Sequence, residues 1–154
     1  MQQENRSEME LEIRNLELVI SNKELQKVLM TNEELKIKLP ELIPSVVFEE
    51  GGEWITAFVD ASNWKMIAQQ LRSKEDFQFD YLFCVTCVDW KTHLTMVYFL
   101  TSTTYRHTLV IKTKLDRNDP EIETVSDIWR TAEFHEREAY DLFGVKFLHH
   151  PDLR

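Results

Sequence analysis

Three β-rich segments follow one another closely in the second half of the chain, and they constrain the fold more than any other feature. The segments are Tyr81–Asp89, His93–Ser102 and Tyr105–Lys114, with only short joins between them. Such joins fit hairpins, so the segments are predicted to be antiparallel neighbours in one sheet. The third segment roughly alternates apolar and polar residues, as a half-buried strand should.

A further hairpin is predicted on the N-terminal side of these strands. Two β-rich runs, Ser45–Glu49 and Glu53–Val59, flank a Gly-Gly pair, which suits a tight turn. A helix is predicted next, with Asp60 or Ser62 as its N-cap. Its apolar stripe follows helical spacing and consists of Trp64, Ile67, Ala68 and Leu71.

The segment from Asn22 to Leu39 is predicted to be helical because apolar residues recur every three or four positions. These residues are Leu25, Val28, Leu29, Leu35 and Leu39. Thr31 and Glu34 have the spacing of a capping box, so the helix is predicted to restart at Thr31. Pro40 and Pro44 are predicted to end it, because proline lacks the backbone donor that a helix needs.

Residues 1–21 fit two patterns and are treated as an N-terminal extension whose order the sequence leaves open. Their apolar residues partly alternate, as in a strand, and several also fit a helical stripe. The stripe residues are Met9, Ile13, Leu16 and Ile20.

The chain is predicted to turn helical again near its C-terminus. Ser126 is the predicted cap of a segment over Asp127–Arg130, and Thr131 the cap of a second segment ending at Phe143, with Gly144 as its stop. The predicted order is therefore α-β-β-α-β-β-β-α. It indicates an α+β fold of two layers, with a mixed, mostly antiparallel sheet of about five strands and helices on one face.

The charge balance excludes some function classes. The formal net charge is −9 and no basic run is present, so the chain is a poor candidate for binding nucleic acid, which needs clustered Lys and Arg. No stretch approaches the roughly 20 apolar residues that span a bilayer. The polar, acidic start is unlike a secretory signal. We therefore expect a soluble intracellular chain that meets a membrane only through a partner.

Cys84 and Cys87 form a C-x-x-C pair inside the β-rich segment YLFCVTCVDW. Zinc ribbons need a second such pair, and iron–sulfur clusters usually need four thiolates. Residues three apart in a strand point to opposite faces. Two inert core cysteines are therefore predicted, with a redox-sensitive pair as the alternative.

The last 21 residues, FHEREAYDLFGVKFLHHPDLR, allow four interpretations. A plain charged helix would carry an ion-pair ladder of Glu133, Arg137 and Asp141, and its aromatics would pack on the sheet. A metal site would draw its ligands from His135, His149, His150, Glu136 and Glu138, although no two His share the i, i+4 spacing of a helical zinc site.

The other two interpretations are an acid–base site and an interaction surface. The first would pair Glu136, Glu138 or Asp141, yet no nucleophile or phosphate-binding motif accompanies them. The second rests on the aromatic and apolar tail after the helix. A tail of that composition is predicted to need a neighbour to cover it, and aromatic and Arg residues are common interface anchors.

The stretch HEREAYDLFGVKFLHHPDLR closely resembles the signature of the 30 kDa subunit family of proton-pumping NADH–quinone oxidoreductase, respiratory complex I. Equivalents of this family, which is component C of the complex, occur in the plastid NDH complex and in membrane hydrogenases. The preceding SDIWRTAEF and the strand end Val88-Asp89 are similar to the same family. The resemblance covers about Glu34 to Arg154. The residues that match the signature are Glu136, Arg137, Glu138, Tyr140, Asp141, Phe143, Gly144, Phe147, His150, Pro151 and Arg154.

The resemblance implies a two-layer α/β subunit of the peripheral arm that has no catalytic residue, metal, flavin, iron–sulfur cluster or quinone site of its own. FMN and the clusters would lie in partner subunits, with NADH and quinone as substrates of the complex. The chain would pack mainly on component D, here called the quinone-site subunit, and on neighbouring arm subunits. It would lie on the cytoplasmic side of the bacterial inner membrane.

The resemblance also suggests roles for parts of the chain. Residues 22–144 would form a domain of the 30 kDa subunit type, and 145–154 the start of an extended docking tail. Because the family continues past this point, we expect a truncated tail or a domain excised from a fusion with the quinone-site subunit. Arg137 with Glu133 and Asp141 would hold the helix geometry. Packing and contact are expected from Tyr140, Phe143, Phe147, His150 and Pro151.

Two other hypotheses come from different classes. The same fold could serve a membrane-bound hydrogenase or another quinone- or ferredoxin-linked complex. Alternatively, the chain could be an independent redox protein that uses Cys84 and Cys87.

Overall fold

The structure is a computed structural model that describes the backbone of residues 2–154 and the side chains of residues 6–21 and 29–154. In this part of the chain it contains four helices and seven strands. They are α1 Gln2–Val28, α2 Asn32–Leu42, β1 Val47–Glu49, β2 Ile55–Phe58, α3 Ala61–Ser73, β3 Tyr81–Asp89, β4 His93–Thr101, β5 Thr108–Asp116, β6 Glu121–Glu123, α4 Ala132–Phe143 and β7 Lys146–Leu148.

Five strands form one mixed sheet in the order β1-β2-β5-β4-β3. β2 and β5 are parallel, and the remaining neighbours are antiparallel. The predicted α+β class and mostly antiparallel sheet are confirmed. A second sheet, which the sequence did not predict, pairs β6 and β7 in parallel.

The core lies between the main sheet and helices α3 and α4. All four residues of the predicted α3 stripe are at most 4% exposed, and the Trp64 ring lies 4.6 Å from that of Tyr98 on β4. The burial of these apolar side chains away from water is the main contribution that stabilises α3 on the sheet. Asp60 is the N-cap residue of α3 but its side chain makes no capping bond, and Ser62 lies inside the helix.

Residues 2–28 form one helix, α1, so the strand-like interpretation of this segment is wrong. The apolar side chains described on α1, from Met9 to Ile20, are all exposed, while Leu25 and Val28 fall outside the described side chains. The capping box at Thr31 and Glu34 is confirmed.

Pro40 does not end α2, which continues to Leu42. Proline removes a single backbone bond this close to a helix end. Leu39 and Leu42 are both buried in the core, and we attribute the extra turn to their packing.

β5 begins three residues later than predicted, at Thr108. Arg106 has a φ of +53°, and its amide donates to the Ser102 carbonyl at 2.9 Å, which curls the chain out of the sheet. Tyr105 therefore leaves the strand, and its hydroxyl donates to the Glu75 carbonyl at 2.6 Å. The chain still turns at residues 103–105, but the connection is longer than the short join that the sequence suggested.

The segment before α4 also differs from the prediction. Residues 127–130 form turns and irregular backbone instead of a helix. Thr131 is the N-cap residue of α4, as predicted, but its side chain makes no capping bond. Ser126 caps no helix. Each of the two hydroxyls has a different partner. Ser126 lies 2.8 Å from the Thr124 hydroxyl, and Thr131 donates to the Leu82 carbonyl of β3 at 2.7 Å.

Candidate functional site

Helix α4 is amphipathic, and it separates the signature residues into an inward and an outward set. Ala132, Glu136 and Ala139 are buried against the body of the protein. They recur every three or four positions, so the residues between them face outward. One of these three inward residues is an acid, which requires an explanation.

Glu136 is fully buried and ties α4 to the chain before it. The amide of Val125 donates to its Oε1 at 2.9 Å, and the Thr124 hydroxyl donates to its Oε2. Burial raises the pKa of Glu136 to about 7, although the Thr124 and Val125 bonds oppose that shift. Glu136 therefore has a structural role, because its hydrogen bonds hold α4 against residues 124 and 125. It does not lie on the surface that the signature suggested.

His150 ties the tail to α4 in a similar way, and its side chain is completely buried. Its Nδ1 accepts from the Asp152 amide at 3.1 Å. The proton must then lie on Nε2, which is 3.2 Å from the Glu133 carbonyl and 3.7 Å from Glu136 Oε2. These partners fit a neutral imidazole that donates from Nε2.

The first part of the tail is a strand and not a free extended arm. β7 pairs with β6 so that Phe147 lies opposite Ile122. These two side chains are 3% and 2% exposed. The prediction that the tail cannot bury its own apolar groups is therefore wrong for Phe147. The β6 strand that covers it follows β5 and showed no strand pattern in the sequence.

Arg137 pairs with one of its two predicted partners, Glu133, and also links the helix to the tail. Its guanidinium lies 3.6 Å from Glu133 and 3.6 Å from Asp152, and 4.8 Å from the centre of the Phe134 ring. Asp141 is not among its ion-pair partners in the described residues. Asp152 of the tail takes the place of the predicted partner Asp141, because the tail folds back over α4.

The outward set contains two large apolar residues, although the plain-helix interpretation would pack the aromatic side chains of α4 on the sheet. Phe134 is 69% exposed and Leu142 is 68% exposed. Counting from the buried Glu136 would have placed both on the opposite face. Other exposed residues are Glu138, Tyr140, Asp141, Gly144, Pro151 and Arg154, while Phe143 is half-buried against the core.

Gly144 ends α4 in the left-handed conformation, with a φ of +73°, so its predicted role as the helix stop is confirmed. A Cβ here would meet no atom within 4 Å, so any penalty comes from the backbone alone. We expect Gly144→Ala to lower the free energy of unfolding by about 1 kcal/mol, and Gly144→Asn by less, because Asn tolerates this conformation. Urea denaturation of both variants tests this, and equal losses would contradict the backbone explanation.

The other interpretations of the terminal stretch find little geometric support. His149 points away from His150 and pairs with Glu123 at 2.9 Å. Across the described residues, no group of three or more His, Cys, Asp or Glu side chains converges as a metal site would require. Glu136 is buried whereas Glu138 and Asp141 are exposed, so Glu136 does not share the surface of the other two acids.

The two cysteines lie in β3 and are free thiols. Cys84 stands opposite Phe99 and Cys87 opposite Met96, so the thiols point to different faces of the sheet, as predicted. Burial raises the pKa of both, that of Cys87 to about 11. Such thiols are poor nucleophiles, because the thiolate is the reactive form.

The profile of the family described as respiratory-chain NADH dehydrogenase, 30 Kd subunit, matches residues 57–154. The chain belongs to this family. The hydrogen bonds of the buried Glu136, the strand β7 and the outward face of α4 all lie within the region that this family shares. Within the described residues, no helix has the length and apolar character needed to cross a bilayer.

Relatives of the 30 Kd subunit family come from more than one kind of complex. The NADH-quinone oxidoreductase component C of Chloroherpeton thalassium is 44% identical over 98 residues, which is 62% of this chain and 40% of that protein. A component C/D of Phocaeicola vulgatus is 40% identical over 58% of this chain and 18% of its own length. The F(420)H(2) dehydrogenase component C of Methanosarcina mazei is 36% identical over 79% of this chain and 77% of that protein.

Two solved structures show the same fold. A trypsin-resistant fragment of Nqo5 is 26% identical, with a TM-score of 0.66 over 77% of this chain and 98% of the fragment. A polypeptide of the archaeal membrane-bound sulfane sulfur reductase is 25% identical, with a TM-score of 0.66 over 76% of this chain and 70% of that polypeptide. The family fold is therefore shared by polypeptides that carry different names.

Proposed function

We propose that the chain is a structural subunit of the peripheral arm of a proton-pumping NADH–quinone oxidoreductase, with no catalytic or cofactor site of its own. It docks on the quinone-site subunit through the outward face of α4 and the tail. Electron transfer from NADH to quinone, and the FMN and iron–sulfur clusters that it needs, belong to the partner subunits. The chain reaches the cytoplasmic side of the inner membrane only through the complex.

The observation that carries this proposal is the outward face of α4. Phe134, Tyr140 and Leu142 are 69%, 36% and 68% exposed on a helix whose other face is firmly anchored. Large apolar side chains exposed among charges on a rigid helix are typical of a surface that another protein covers. The C/D relative supports the quinone-site subunit, component D, as the occupant, since segments that share one polypeptide commonly pack together.

A double substitution, Phe134→Asp with Leu142→Asp, tests the docking surface. Both residues are exposed, so the isolated chain should keep its free energy of unfolding to within about 0.5 kcal/mol. In cells that lack the natural copy, a tagged variant should recover the quinone-site subunit from solubilised membranes about tenfold less well than the wild type. That loss equals about 1.4 kcal/mol of binding, and NADH–quinone activity should fall in parallel.

Ile37→Asp on α2 is the matched control, because Ile37 is 72% exposed but lies far from α4 in sequence. It should recover the quinone-site subunit as the wild type does. Normal recovery and activity of the α4 variant would show that this face does not dock. Full assembly with lost turnover would instead contradict a purely structural role.

A second candidate is the equivalent subunit of a related complex that is not driven by NADH. It is favoured by the Methanosarcina mazei relative, whose match extends over 79% of the chain and 77% of that protein, well beyond the match to the Chloroherpeton protein. The same recovery experiment separates the two. An NADH-binding flavoprotein among the recovered proteins supports complex I, whereas a hydrogenase large subunit supports a related complex.

A further inference from the structure

The outer edge of β3 is open. β3 has nine residues and stands at the end of the main sheet, where it pairs with β4 alone. Alternate residues of such a strand direct their backbone N–H and C=O groups away from the sheet. Apart from its bonds to β4, the backbone of β3 makes one hydrogen bond within the described residues. The Thr131 hydroxyl donates to the Leu82 carbonyl.

This edge also lacks the usual protection. Edge strands commonly avoid unwanted pairing by being very short, or by carrying lysine or proline. β1, at the other edge, has only three residues. β3 is long and contains no lysine or proline, and its one irregularity lies between Leu82 and Cys84. The stretch from Cys84 to Asp89 is thus a regular strand that could accept another.

A groove runs beside this edge, between β3 and α4. Its volume is about 180 Å³, below the roughly 300–1,000 Å³ typical of small-molecule sites, but it can receive side chains of a bound segment. Most of the lining is apolar, with Glu138 as its one acid. It includes Val85, Thr86, Cys87, His135, Glu138 and Leu142.

The charges beside the groove indicate what kind of segment it accepts. Glu138 lines the groove, and Asp141, three residues further along α4, is also exposed. After burial itself, the charge of Glu138 is the next cause of the raised pKa of the Cys84 thiol, so its negative field reaches the strand. A second copy of this chain, with net charge −9, would bring like carboxylates together. A segment that carries Lys or Arg is therefore favoured.

We propose that the β3 edge and its groove accept an extended, basic segment of a neighbouring subunit as an added strand. Backbone bonds to Cys84–Asp89 would provide affinity, and Lys or Arg side chains beside Glu138 and Asp141 would provide specificity. The inference rests on the proposed function in one respect, since the occupant belongs to the same complex.

Site-specific photo-crosslinking in the assembled complex tests the edge directly. Thr86, exposed on β3, is replaced by p-benzoyl-phenylalanine, and Val47, 61% exposed on β1, is replaced in a control. After irradiation, mass spectrometry of the Thr86 product should identify a partner-subunit segment that contains Lys or Arg. No product, or a product with a second copy of this chain, would overturn the proposal.

Amide hydrogen exchange separates an added strand from mere proximity. Outward-facing amides within Cys84–Asp89 should exchange about tenfold or more slowly in the complex than in the isolated chain, because ladder bonds slow exchange. Those of β1 should change less. Unchanged exchange in β3, with the complex otherwise intact, would refute the strand but leave the proposed function standing. Failure to recover any complex would refute both.

A charge-reversal pair tests the specificity. Glu138→Lys with Asp141→Lys should reduce the Thr86 crosslink about tenfold, equivalent to about 1.4 kcal/mol. Glu50→Lys with Glu53→Lys, at the exposed β1–β2 turn, changes the net charge equally and should have little effect. Equal crosslinking by the two double variants would show that Glu138 and Asp141 do not select a basic segment.

Discussion

Glu136→Gln is expected to be more stable than the wild-type chain above about pH 7, by up to about 3 kcal/mol. Burial raises the pKa of Glu136 from 4.5 to about 7, and each pKa unit corresponds to about 1.4 kcal/mol. Glutamine has the shape and bonding of the protonated acid, since its Oε1 can accept from Val125 and its Nε2 can donate to Thr124. It keeps these bonds at every pH without burying a charge.

The direction of the pH effect follows from the raised pKa. Below 4.5 Glu136 is protonated in both the folded and the unfolded chain, and its contribution is fully present. As pH rises towards 7 the unfolded chain releases its proton first, so the folded state loses stability. The advantage of glutamine should therefore grow between about pH 4.5 and 7 and stay constant above it.

His107 changes the free energy of unfolding in the opposite direction over much of the same pH range. Its ring is buried beside Phe79, and burial lowers its pKa from 6.5 to about 4. The unfolded chain binds this proton first as pH falls, so stability should be lost between about pH 6.5 and 4. The pH dependences that Glu136 and His107 give to the stability should largely cancel in the wild type. Glu136→Gln should instead become more stable as pH rises to about 6.5.

Urea denaturation at several pH values measures both effects, with Glu138→Gln as the exposed control. Glu136→Ala completes the series. It leaves the buried Val125 amide without its acceptor and creates a cavity, so a loss of about 2–4 kcal/mol is expected. A glutamine variant that is less stable than the wild type at about pH 8 would mean that the ionised acid is the form the fold requires.

Phe147→Ala is expected to lower the free energy of unfolding by about 3–5 kcal/mol, the range for removing a buried phenylalanine. Phe147 is 3% exposed and lies opposite Ile122 in the small parallel sheet. Its loss should separate β7 from β6 and release the tail. Recovery of the quinone-site subunit from membranes should then fall even though the outward face of α4 is unaltered.

Leu148→Ala is the matched control, because the neighbouring side chain points the other way and is 38% exposed. Its cost should stay below about 1 kcal/mol. Hydrogen exchange of the β6 amides gives an independent measurement, since they should lose protection in Phe147→Ala only. A loss below about 1 kcal/mol for Phe147→Ala would show that the tail strand contributes little to the fold.

The sequence alone determined the features that depend on near neighbours in the chain. The bounds of β3, the stripe of α3, the capping box at Thr31 and the stop at Gly144 all follow from spacing or from one residue's backbone preference. The family followed from the terminal signature, because its residues are contiguous enough to be recognised without a structure.

Only the tertiary structure decided which signature residues face inward. Glu136 is buried because partners at Thr124 and Val125 satisfy it, and Phe134 and Leu142 are exposed because α4 turns its other face to the sheet. The tail becomes a strand because β6 lies beside it, and Arg137 finds Asp152 because that strand brings the tail back. Each outcome depends on contacts between segments that are separated in the chain, and local propensity contains no information about them.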